Sequence, residues 1–433
     1  MASAKHASPI RYPWVIVGLL VLAMVNSFFD RGNLAVAAPI LAPDLGIAPD
    51  QLGTLLSAFF VTYALCQIAV GWLCDRFEVK WVYAVAFLLW GLASMGHGLV
   101  SGFAGLLVMR LLLGVGESVT YPATSRILAT IIPERRRGLA NSLIDAFGAR
   151  IGPAVGILLG TVLIGSFGWR ALFVIVGAGG LLWLIPWLIL APRMGTVAEM
   201  KEEEASQPRI GWKELLSMRA FWGTCGGLMG ANYAWYFLLT WLPSYLMDER
   251  GFSLESMGVI GSFPFLIMVI PSLGGGMLAD RLISNGRSAV TVRKTFLATG
   301  LFLTSILLPM TLIPRVEFGV AALFAASFTL GIYASNLFAL TQSLAGAEAA
   351  GRWTGLQNAC GNIPGIIAPF VTGWIVATTG QYFAAFIAAG VALLLGAACF
   401  AFLIRDGDQL GDTDVSAMSS VAVPSSRTSF SQP

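Results

Sequence analysis

The segment that decides the fold reads Asn26-Ser27-Phe28-Phe29-Asp30-Arg31-Gly32-Asn33. It sets an acid beside a base within an apolar stretch long enough to cross a bilayer. A charge at that depth costs roughly 2.5 to 3.5 kcal/mol, so it needs a reason to be there. At about 100° per residue, Asn26, Asp30 and Asn33 share one helix face, with Arg31 on its flank. We interpret this face as the wall of a polar cavity.

The composition is that of a protein embedded in lipid. Hydrophobic residues make up 57% and charged residues 11% of the 433 residues, whereas a soluble domain is about 25% charged. The mean hydropathy is +0.78. A net charge of +3 is too small to indicate nucleic-acid binding. The five cysteines follow no spacing typical of a metal site or a disulfide framework, so we interpret them as packing residues. These features predict an all-α, polytopic membrane protein.

Twelve apolar runs can each cross the membrane, since about 20 residues suffice. They cover residues 14–39, 51–74, 81–100, 104–127, 138–163, 169–190, 221–246, 255–279, 293–313, 318–342, 353–377 and 382–404. The predicted domains are a cytoplasmic N-terminus at 1–13, a six-helix bundle at 14–190, a cytoplasmic linker at 191–220, a second bundle at 221–404 and a disordered cytoplasmic tail at 405–433.

Lysine and arginine positions predict the orientation. If both termini are cytoplasmic, nineteen of the 26 basic residues lie on that side. The opposite loops carry only Arg170, Arg250 and Arg315, and the remaining four lie within spans. Such a bias is typical of the positive-inside rule.

The two halves repeat each other. Gly71-Trp72-Leu73-Cys74-Asp75-Arg76 follows the second span, and Gly276-Met277-Leu278-Ala279-Asp280-Arg281 follows the eighth. Internal repeats of this kind predict two bundles packed about a central axis, with a ligand site between them at mid-membrane. Acid and base pairs beside cytoplasmic helix ends can also link the halves in one gate state, so we expect Asp75, Arg76, Asp280 and Arg281 to act in gating.

The fourth span carries a second charged stripe. Arg110, Gly114, Glu117 and Tyr121 follow one another at i, i+4, i+7 and i+11, which is one helix face. Arg110 and Glu117 can therefore border the same cavity. The alternative is a structural ion pair that fixes two helices against each other. The fifth span adds Asp145 and Arg150, which lie on different sides of an ideal helix.

Three pairs of polar residues recur at i, i+4 within apolar helices, namely Tyr63 with Gln67, Asn232 with Tyr236, and Asn358 with Asn362. A buried amide must find a partner or lose a few kcal/mol. Either a hydroxylated substrate or a neighbouring helix can supply that partner. A lone histidine, His97, lies near the outer end of the third span and is interpreted as packed or solvated.

Several motifs carry a family resemblance. The loop from Gly71 through Asp75 and Arg76 to Lys80 resembles the cytoplasmic signature of the major facilitator superfamily, and Arg110-x-x-x-Gly114 resembles its second motif. More narrowly, the segments at 30–34, 63–67, 110–122 and 232–236 resemble the anion:cation symporter family. That family includes galactonate, glucarate, hexuronate and phthalate-type permeases, sialin and the vesicular glutamate carriers.

The resemblance implies roles for individual residues. It implies that Asp30 and Glu117 are the protonatable pair, that Arg31 and Arg110 recognise the substrate carboxylate, and that Tyr63, Gln67 and Asn362 line the substrate site. Arg150 resembles a residue of glucarate- and phthalate-type relatives and would serve a second carboxylate. Phe28 stands where a substrate-binding tyrosine is expected, and Gly148 or Ala149 replaces a polar residue. Both departures argue against galactonate itself, and Phe28 would suit a ring-binding pocket.

These observations predict proton-coupled symport of an organic carboxylate, with sugar acids ahead of aromatic carboxylates. The charges of three intramembrane arginines balance those of three acids. A bound carboxylate would make the site negative, and uptake of one proton would restore its neutrality. Lipophilic-drug efflux and a non-transporting sensor are the alternatives. The sequence has no HExxH, GxSxG or Walker motif, which argues against an enzyme. We expect no cofactor or metal, no nucleic-acid partner, and a monomer in a bacterial inner membrane.

Overall fold

The computed structural model describes residues 12–191, 212–334 and 336–408 and is helical almost throughout. The first half contains α1 (Pro13–Leu45), α2 (Pro49–Arg76), α3 (Val79–Leu99), α4 (Gly102–Glu117), α5 (Thr120–Ile131), α6 (Glu134–Asp145), α7 (Gly152–Phe167), α8 (Trp169–Leu181) and α9 (Leu184–Leu190). The second half contains α10 (Trp212–Ser217), α11 (Arg219–Ser244), α12 (Leu254–Ile267), α13 (Val269–Ser284), α14 (Ala289–Leu307), α15 (Val316–Ala334), α16 (Leu337–Thr379) and α17 (Phe383–Leu403).

Helix is the expected solution for these apolar runs, because a helix satisfies its own backbone polar groups inside lipid. Within the described residues, eleven helical segments are long and apolar enough to cross a membrane. The other predicted span, 221–246, is the 26-residue helix α11. Its sequence mixes Asn232, Tyr233 and Tyr236 with several glycines and tryptophans, which lowers its hydropathy.

The fourth and fifth predicted spans are among those that are not continuous α-helices. The fourth span is interrupted at Glu117, where α4 ends and a turn at 118–119 leads into α5. The fifth span contains a π-helix from Ala146 to Ile151 between α6 and α7, and this segment carries Arg150. Each interruption lies at a predicted site residue, Glu117 or Arg150. π-helical turns in particular are rare and often mark functional sites.

The two halves meet along three helix pairs, α1 with α11, α2 with α16, and α7 with α12. Small residues allow the paired helices of the two halves to approach each other closely. A Cβ atom at Gly53 would lie only 2.7 Å from the Pro369 carbonyl oxygen, and one at Gly258 would lie 2.6 Å from Thr161 Oγ1. Ser57 Oγ also donates a hydrogen bond of 2.7 Å to the Ile366 carbonyl.

These contacts lie toward one side of the molecule, which we call the closed side. It is the side that carries the α1–α2 turn at residues 46–48. On the same side, a cavity of about 870 Å³ lies between the halves at the outer edge of these contacts. Pro39, Leu52 and Trp241 are among the residues that line it. Along α2, Gly53 and Ser57 lie between this cavity and Tyr63. The contact layer therefore separates the cavity from the polar residues deeper in the bundle.

The predicted N-terminal segment at 1–13 and the tail at 405–433 lie largely outside the described residues, as does most of the predicted linker at 191–220. The described part of the linker includes α10, which ends just before α11.

Candidate functional site

Four ionisable side chains are buried together in the first half. Asp30 is 2% exposed, Arg31 3%, Arg110 1% and Glu117 0%. Two come from α1 and two from α4, and Arg110 lies within electrostatic range of both acids. Charges buried at this depth in a membrane protein are costly and typically mark a functional site.

Glu117 forms an ion pair with Arg31 across α1 and α4. Arg31 Nε lies 2.9 Å from Glu117 Oε2, and Ser27 Oγ donates a 2.6 Å hydrogen bond to the same oxygen. Among the described residues, the other carboxylate oxygen, Oε1, has no hydrogen-bond partner, and neither has Arg31 Nη2. The pair therefore keeps one acceptor and one donor open in a buried position.

Asp30 has a different environment, although it is the chain neighbour of Arg31. Its carboxylate accepts hydrogen bonds from Trp90 Nε1 at 2.7 Å and Ser94 Oγ at 2.6 Å, both from α3. Asn26 and Asn33 add bonds of 3.0 and 3.1 Å from its own helix. Four donors thus satisfy Asp30 without a direct ion pair among the described residues. The sequence analysis identified Asp30 but missed Trp90 and Ser94.

Arg110 makes one hydrogen bond among the described residues and also lies near an aromatic ring. Its Nε donates a 3.2 Å hydrogen bond to the Leu55 carbonyl on α2, and its guanidinium lies 5.5 Å from the centre of the Phe59 ring. Nη1 has no partner among the described residues. Arg110 and Glu117 were predicted to border one cavity. The two side chains interact electrostatically, but Glu117 forms its direct ion pair with Arg31.

Three aromatic rings surround the Arg31 guanidinium. Its carbon lies 4.5 Å from the centre of the Tyr63 ring, 4.8 Å from Phe28 and 5.3 Å from Phe59. Cation–π attraction at these distances helps to hold a desolvated guanidinium. Phe28 and Tyr63, both predicted to line the site, therefore contact Arg31 itself.

The second half contributes a polar patch opposite this cluster. Tyr236 Oη donates to Asn362 Oδ1 at 3.3 Å, and Asn232 Nδ2 donates to the Gly361 carbonyl at 2.7 Å. The Tyr236 ring meets Phe60 of α2 edge-on, with 4.6 Å between ring centres. Tyr236 thus connects the two halves next to the buried charges. These contacts are the interhelical alternative that the sequence analysis had left open.

The remaining predicted site residues are more peripheral. Asn358 and Gln67 are partly buried, and Gln67 Nε2 has no partner among the described residues. Arg150 is partly buried, with its guanidinium 5.4 Å from the centre of the Trp235 ring. Asp145 is exposed and so lies apart from the buried charges.

Among the described side chains, Arg76, Asp280 and Arg281 form no hydrogen bond or ion pair across the halves. Asp280 pairs with Arg293 of the same half at 3.2 Å, and Arg76 is exposed with its guanidinium 5.5 Å from the Trp72 ring centre. Arg281 is exposed. The side chain of Asp75 lies outside the described part. All four residues lie on the side opposite the closed side.

The described residues include no group of three or more His, Cys, Asp or Glu side chains placed to hold a metal ion. None of the five cysteines, all within the described residues, forms a disulfide bond.

The chain is similar over nearly its whole length to proteins that are named as transporters. It is 31% identical to the hexuronate transporter of Bacillus subtilis, covering 90% of this chain and 92% of that one. It is 30% identical to a probable sulfoacetate transporter of Cupriavidus necator, over 90% and 93% of the two chains. A probable galactarate/D-glucarate transporter of Escherichia coli is also 30% identical, over 94% and 96%.

Solved structures share the fold. A bacterial homologue of the human lysosomal transporter Spinster, in an inward-facing and unoccupied conformation, superposes with a TM-score of 0.76 at 18% identity. The match covers 90% of this chain and 96% of that one. The family model described as Major Facilitator Superfamily matches residues 20–369. The chain is therefore an integral membrane transporter, not an enzyme, and it belongs to the major facilitator superfamily.

Proposed function

We propose that the protein is a proton-coupled symporter of organic anions, with sugar acids of the hexuronate and aldarate type as its substrates. The observation that carries this proposal is the buried Arg31–Glu117 pair, in which Arg31 Nη2 and Glu117 Oε1 have no hydrogen-bond partner among the described residues. Buried polar atoms are nearly always hydrogen-bonded, so open ones at the centre of a transporter need a ligand. The names of the relatives support sugar acids as the ligand class.

Two arginines can receive the substrate carboxylate. Arg31 Nη2 and Arg110 Nη1 are donors on buried guanidinium groups with no partner in the described part of the chain, and the Phe59 ring lies near both groups. Charge-assisted hydrogen bonds from arginine to carboxylate are among the strongest available to a protein. Sugar hydroxyl groups would then meet Tyr236, Asn362 and Gln67, which supply donors and acceptors around the same space.

Glu117 couples the proton to the substrate. A substrate carboxylate that approaches Arg31 competes with Glu117 for the same guanidinium. Two carboxylates near each other in a low-dielectric site cannot both stay ionised without cost. Protonation of Glu117 removes this conflict, because the neutral acid leaves Arg31 to the substrate. Asp30, held by four donors, supplies a second proton-binding position on the other face of α1.

The asymmetry of the contacts between the halves supports alternating access. With both termini cytoplasmic, the closed side is the outer side. Rocking of the halves about the site would part the Gly53 and Ser57 contacts and bring the opposite ends together. The gating residues Asp75, Arg76, Asp280 and Arg281 would then approach across the halves. The positive-inside rule also suits a bacterial inner membrane.

Aromatic carboxylates are the second candidate. The rings of Phe28, Phe59 and Tyr63 around Arg31 would offer an apolar surface to a benzoate-like ring next to the guanidinium that holds its carboxylate. Efflux of lipophilic cations is disfavoured, because open guanidinium donors at the site repel a positive ligand.

Uptake into proteoliposomes tests the proposal. Purified wild-type protein should accumulate labelled glucuronate or galactarate under an inside-alkaline pH gradient, and a protonophore should abolish the accumulation. Competition by unlabelled benzoate, sulfoacetate and gluconate then ranks the anion classes. Failure of all these acids to be taken up would refute the proposal, and uptake insensitive to the protonophore would refute its proton coupling.

A further inference from the structure

We propose that Trp90 is a positioning residue for proton binding, because its indole N–H directs the proton of Asp30 to one carboxylate oxygen, Oδ1. This role rests on the proposed proton coupling and deepens it, since it assigns the proton to a single atom. Trp90 is fully buried, and the Asp30 side chain that it contacts is buried as well. A wall of the polar site therefore lies on α3, which the sequence analysis did not include.

The two oxygens of the Asp30 carboxylate have different partners. Oδ2 accepts hydrogen bonds from Trp90 Nε1 at 2.7 Å and from Asn26 Nδ2 at 3.0 Å. Oδ1 accepts hydrogen bonds from Ser94 Oγ at 2.6 Å and from Asn33 Nδ2 at 3.1 Å. Each oxygen thus receives two donors, and the ionised carboxylate is satisfied on both sides.

The partners differ in what they can do when Asp30 takes up a proton. An indole N–H can only donate, so a proton on Oδ2 would point at another hydrogen and break the bond to Trp90. A serine hydroxyl both donates and accepts. Ser94 can turn its own hydrogen to a carbonyl oxygen in the preceding turn of α3 and accept the proton of the acid. The bond on Oδ1 is therefore reversible, whereas the bond from Trp90 is not.

Asn33 offers a second acceptor on the same side. Its side chain is buried, and its own Oδ1 has no hydrogen-bond partner among the described residues. Buried acceptors without a partner are uncommon. Half a turn of the amide would bring this oxygen to the Asp30 atom that its nitrogen now contacts. Both partners of Asp30 Oδ1 can thus accept from the protonated acid, while Oδ2 keeps a permanent donor.

Packing holds the indole of Trp90 in this position. Its ring lies against Phe87, with 4.4 Å between ring centres. A Cβ atom at Gly116 of α4 would lie only 2.7 Å from both the Cβ and the backbone nitrogen of Trp90. The close crossing of α3 and α4 therefore leaves the indole little freedom, and Trp90 acts as a fixed donor.

The charged groups that act on Asp30 from other helices include Arg110 and Glu117, both from α4. The neighbouring titratable residue of α3, His97, bonds a carbonyl oxygen of its own helix. From α8, Gly180 lies against an asparagine amide that bonds Asp30. Substitution of Trp90 leaves all these charges in place, so a change in the titration of Asp30 would report the lost indole bond.

Infrared difference spectra of the purified protein, recorded from about pH 4 to 9, test this role without requiring transport. Asp30→Asn identifies the carbonyl band of protonated Asp30 by its loss. Trp90→Phe keeps an aromatic ring but removes the N–H. Trp183→Phe is the matched control, because Trp183 Nε1 also donates to α1, but to the Leu19 carbonyl at 2.8 Å. Trp90→Met is a second variant without the donor if Trp90→Phe does not fold.

We expect the midpoint for Asp30 protonation to move upward by about one pH unit in Trp90→Phe, because loss of a donor to the ionised form favours the protonated form. The band should also move to higher wavenumber, since Oδ2 is then a carbonyl oxygen that has lost a donor. Ser94→Ala should move the midpoint less, because Ser94 bonds both forms. Trp183→Phe should change neither quantity. The pH profile of proton-driven uptake should follow the midpoint in each variant.

An unchanged midpoint in Trp90→Phe would overturn the positioning role, and an unchanged wavenumber would overturn the assignment of the proton to Oδ1. Absence of an Asp30 band from the wild-type spectra would overturn both. Failure of the wild-type protein to take up any sugar acid would instead refute the proposed function, and the infrared midpoints would still decide the role of Trp90.

Discussion

At the scale of single residues, the two buried acids differ in what holds them. Asp30 is satisfied by four donors, whereas Glu117 has one ion pair, one hydroxyl donor and an open oxygen. Removal of one member of a buried pair leaves the other charge uncompensated, which is why such pairs are poorly tolerant of change. Glu117 is therefore the acid whose protonation a substrate can influence directly through Arg31.

Arg31→Lys should weaken substrate binding while preserving the fold. Lysine keeps the positive charge next to Glu117 but lacks the planar fork that can hold a carboxylate and Glu117 together. We expect the Kd for glucuronate to rise about tenfold or more, equivalent to about 1.4 kcal/mol. Arg293→Lys, which alters the partly buried ion pair with Asp280, is the control and should bind normally. An unchanged Kd in Arg31→Lys, measured by equilibrium binding, would show that the Arg31 guanidinium does not bind the substrate.

The sequence could name most of these residues because charges and amides are rare in apolar helices. It could not choose their partners. Asp30 and Arg31 are adjacent in the chain, yet they point to α3 and α4 respectively. Ser94 and Trp90 escaped notice because serine and tryptophan are common in membrane helices and carry no charge to mark them. His97 was interpreted from the sequence as packed or solvated, and the structure buries it against Phe173 with Nδ1 bonded to the Ala93 carbonyl.

At the scale of helices, the close crossing of α2 and α16 holds the closed side together. A Cβ atom at Gly373 would lie 2.6 Å from the Pro49 carbonyl oxygen and 2.8 Å from Gly53 Cα. Backbone atoms cannot move aside as a flexible side chain can, so even alanine at this crossing must separate the helices.

Gly373→Ala should therefore favour the state that is open on this side. A cysteine introduced at Leu52, which lines the cavity on the closed side, should react with a membrane-impermeant maleimide several times faster in this background. Gly71→Ala is the matched control, because a Cβ atom at Gly71 meets nothing within 4 Å. Equal labelling rates in the two backgrounds would show that the crossing does not control access.

A capping interaction fixes the end of α17 to the start of α14. The Asp406 carboxylate accepts a 2.6 Å hydrogen bond from Ser288 Oγ and a second from Thr291 Oγ1. These bonds hold the pKa of that carboxyl below its usual range. A depressed pKa means that the stabilisation is complete above the unfolded value and is lost as pH falls through the folded one.

Asp406→Asn should consequently lower the melting temperature by a constant amount from about pH 5 to pH 8. The free-energy loss should be about 1 kcal/mol or less, because the site is exposed. Asp408→Asn is the control for removal of a charge nearby. A difference between wild type and Asp406→Asn that varies across this pH range would contradict the assignment.

The interruptions of the fourth and fifth spans show what hydropathy cannot predict. An apolar run of suitable length predicts a helix, but the turn after Glu117 and the π-helix around Arg150 depend on local backbone bonding. Ser118 Oγ and Thr120 Oγ1 each bond a carbonyl oxygen three residues back, at 2.6 Å. These bonds stabilise the turn, and neither leaves a distinct pattern in the sequence.

At the scale of the whole molecule, the fold was predictable because lipid allows few solutions. Apolar length, the distribution of basic residues and the repeated Gly-x-x-x-Asp-Arg motif together indicated the major facilitator fold, and the family and structural matches confirm it. Which side is closed could not be predicted, because the helices that meet there do so through glycine, serine and backbone atoms. Such contacts resemble ordinary helix packing in the sequence.

The central claim is that substrate and proton meet at the Arg31–Glu117 pair, and Glu117→Gln tests it most directly. Glutamine keeps the shape and an acceptor for Arg31 but cannot exchange a proton. In proteoliposomes, this variant should fail to accumulate glucuronate under an inside-alkaline gradient while still exchanging internal for external glucuronate by counterflow. Retained exchange would also show that the variant is folded. Accumulation at the wild-type level by Glu117→Gln would contradict the account.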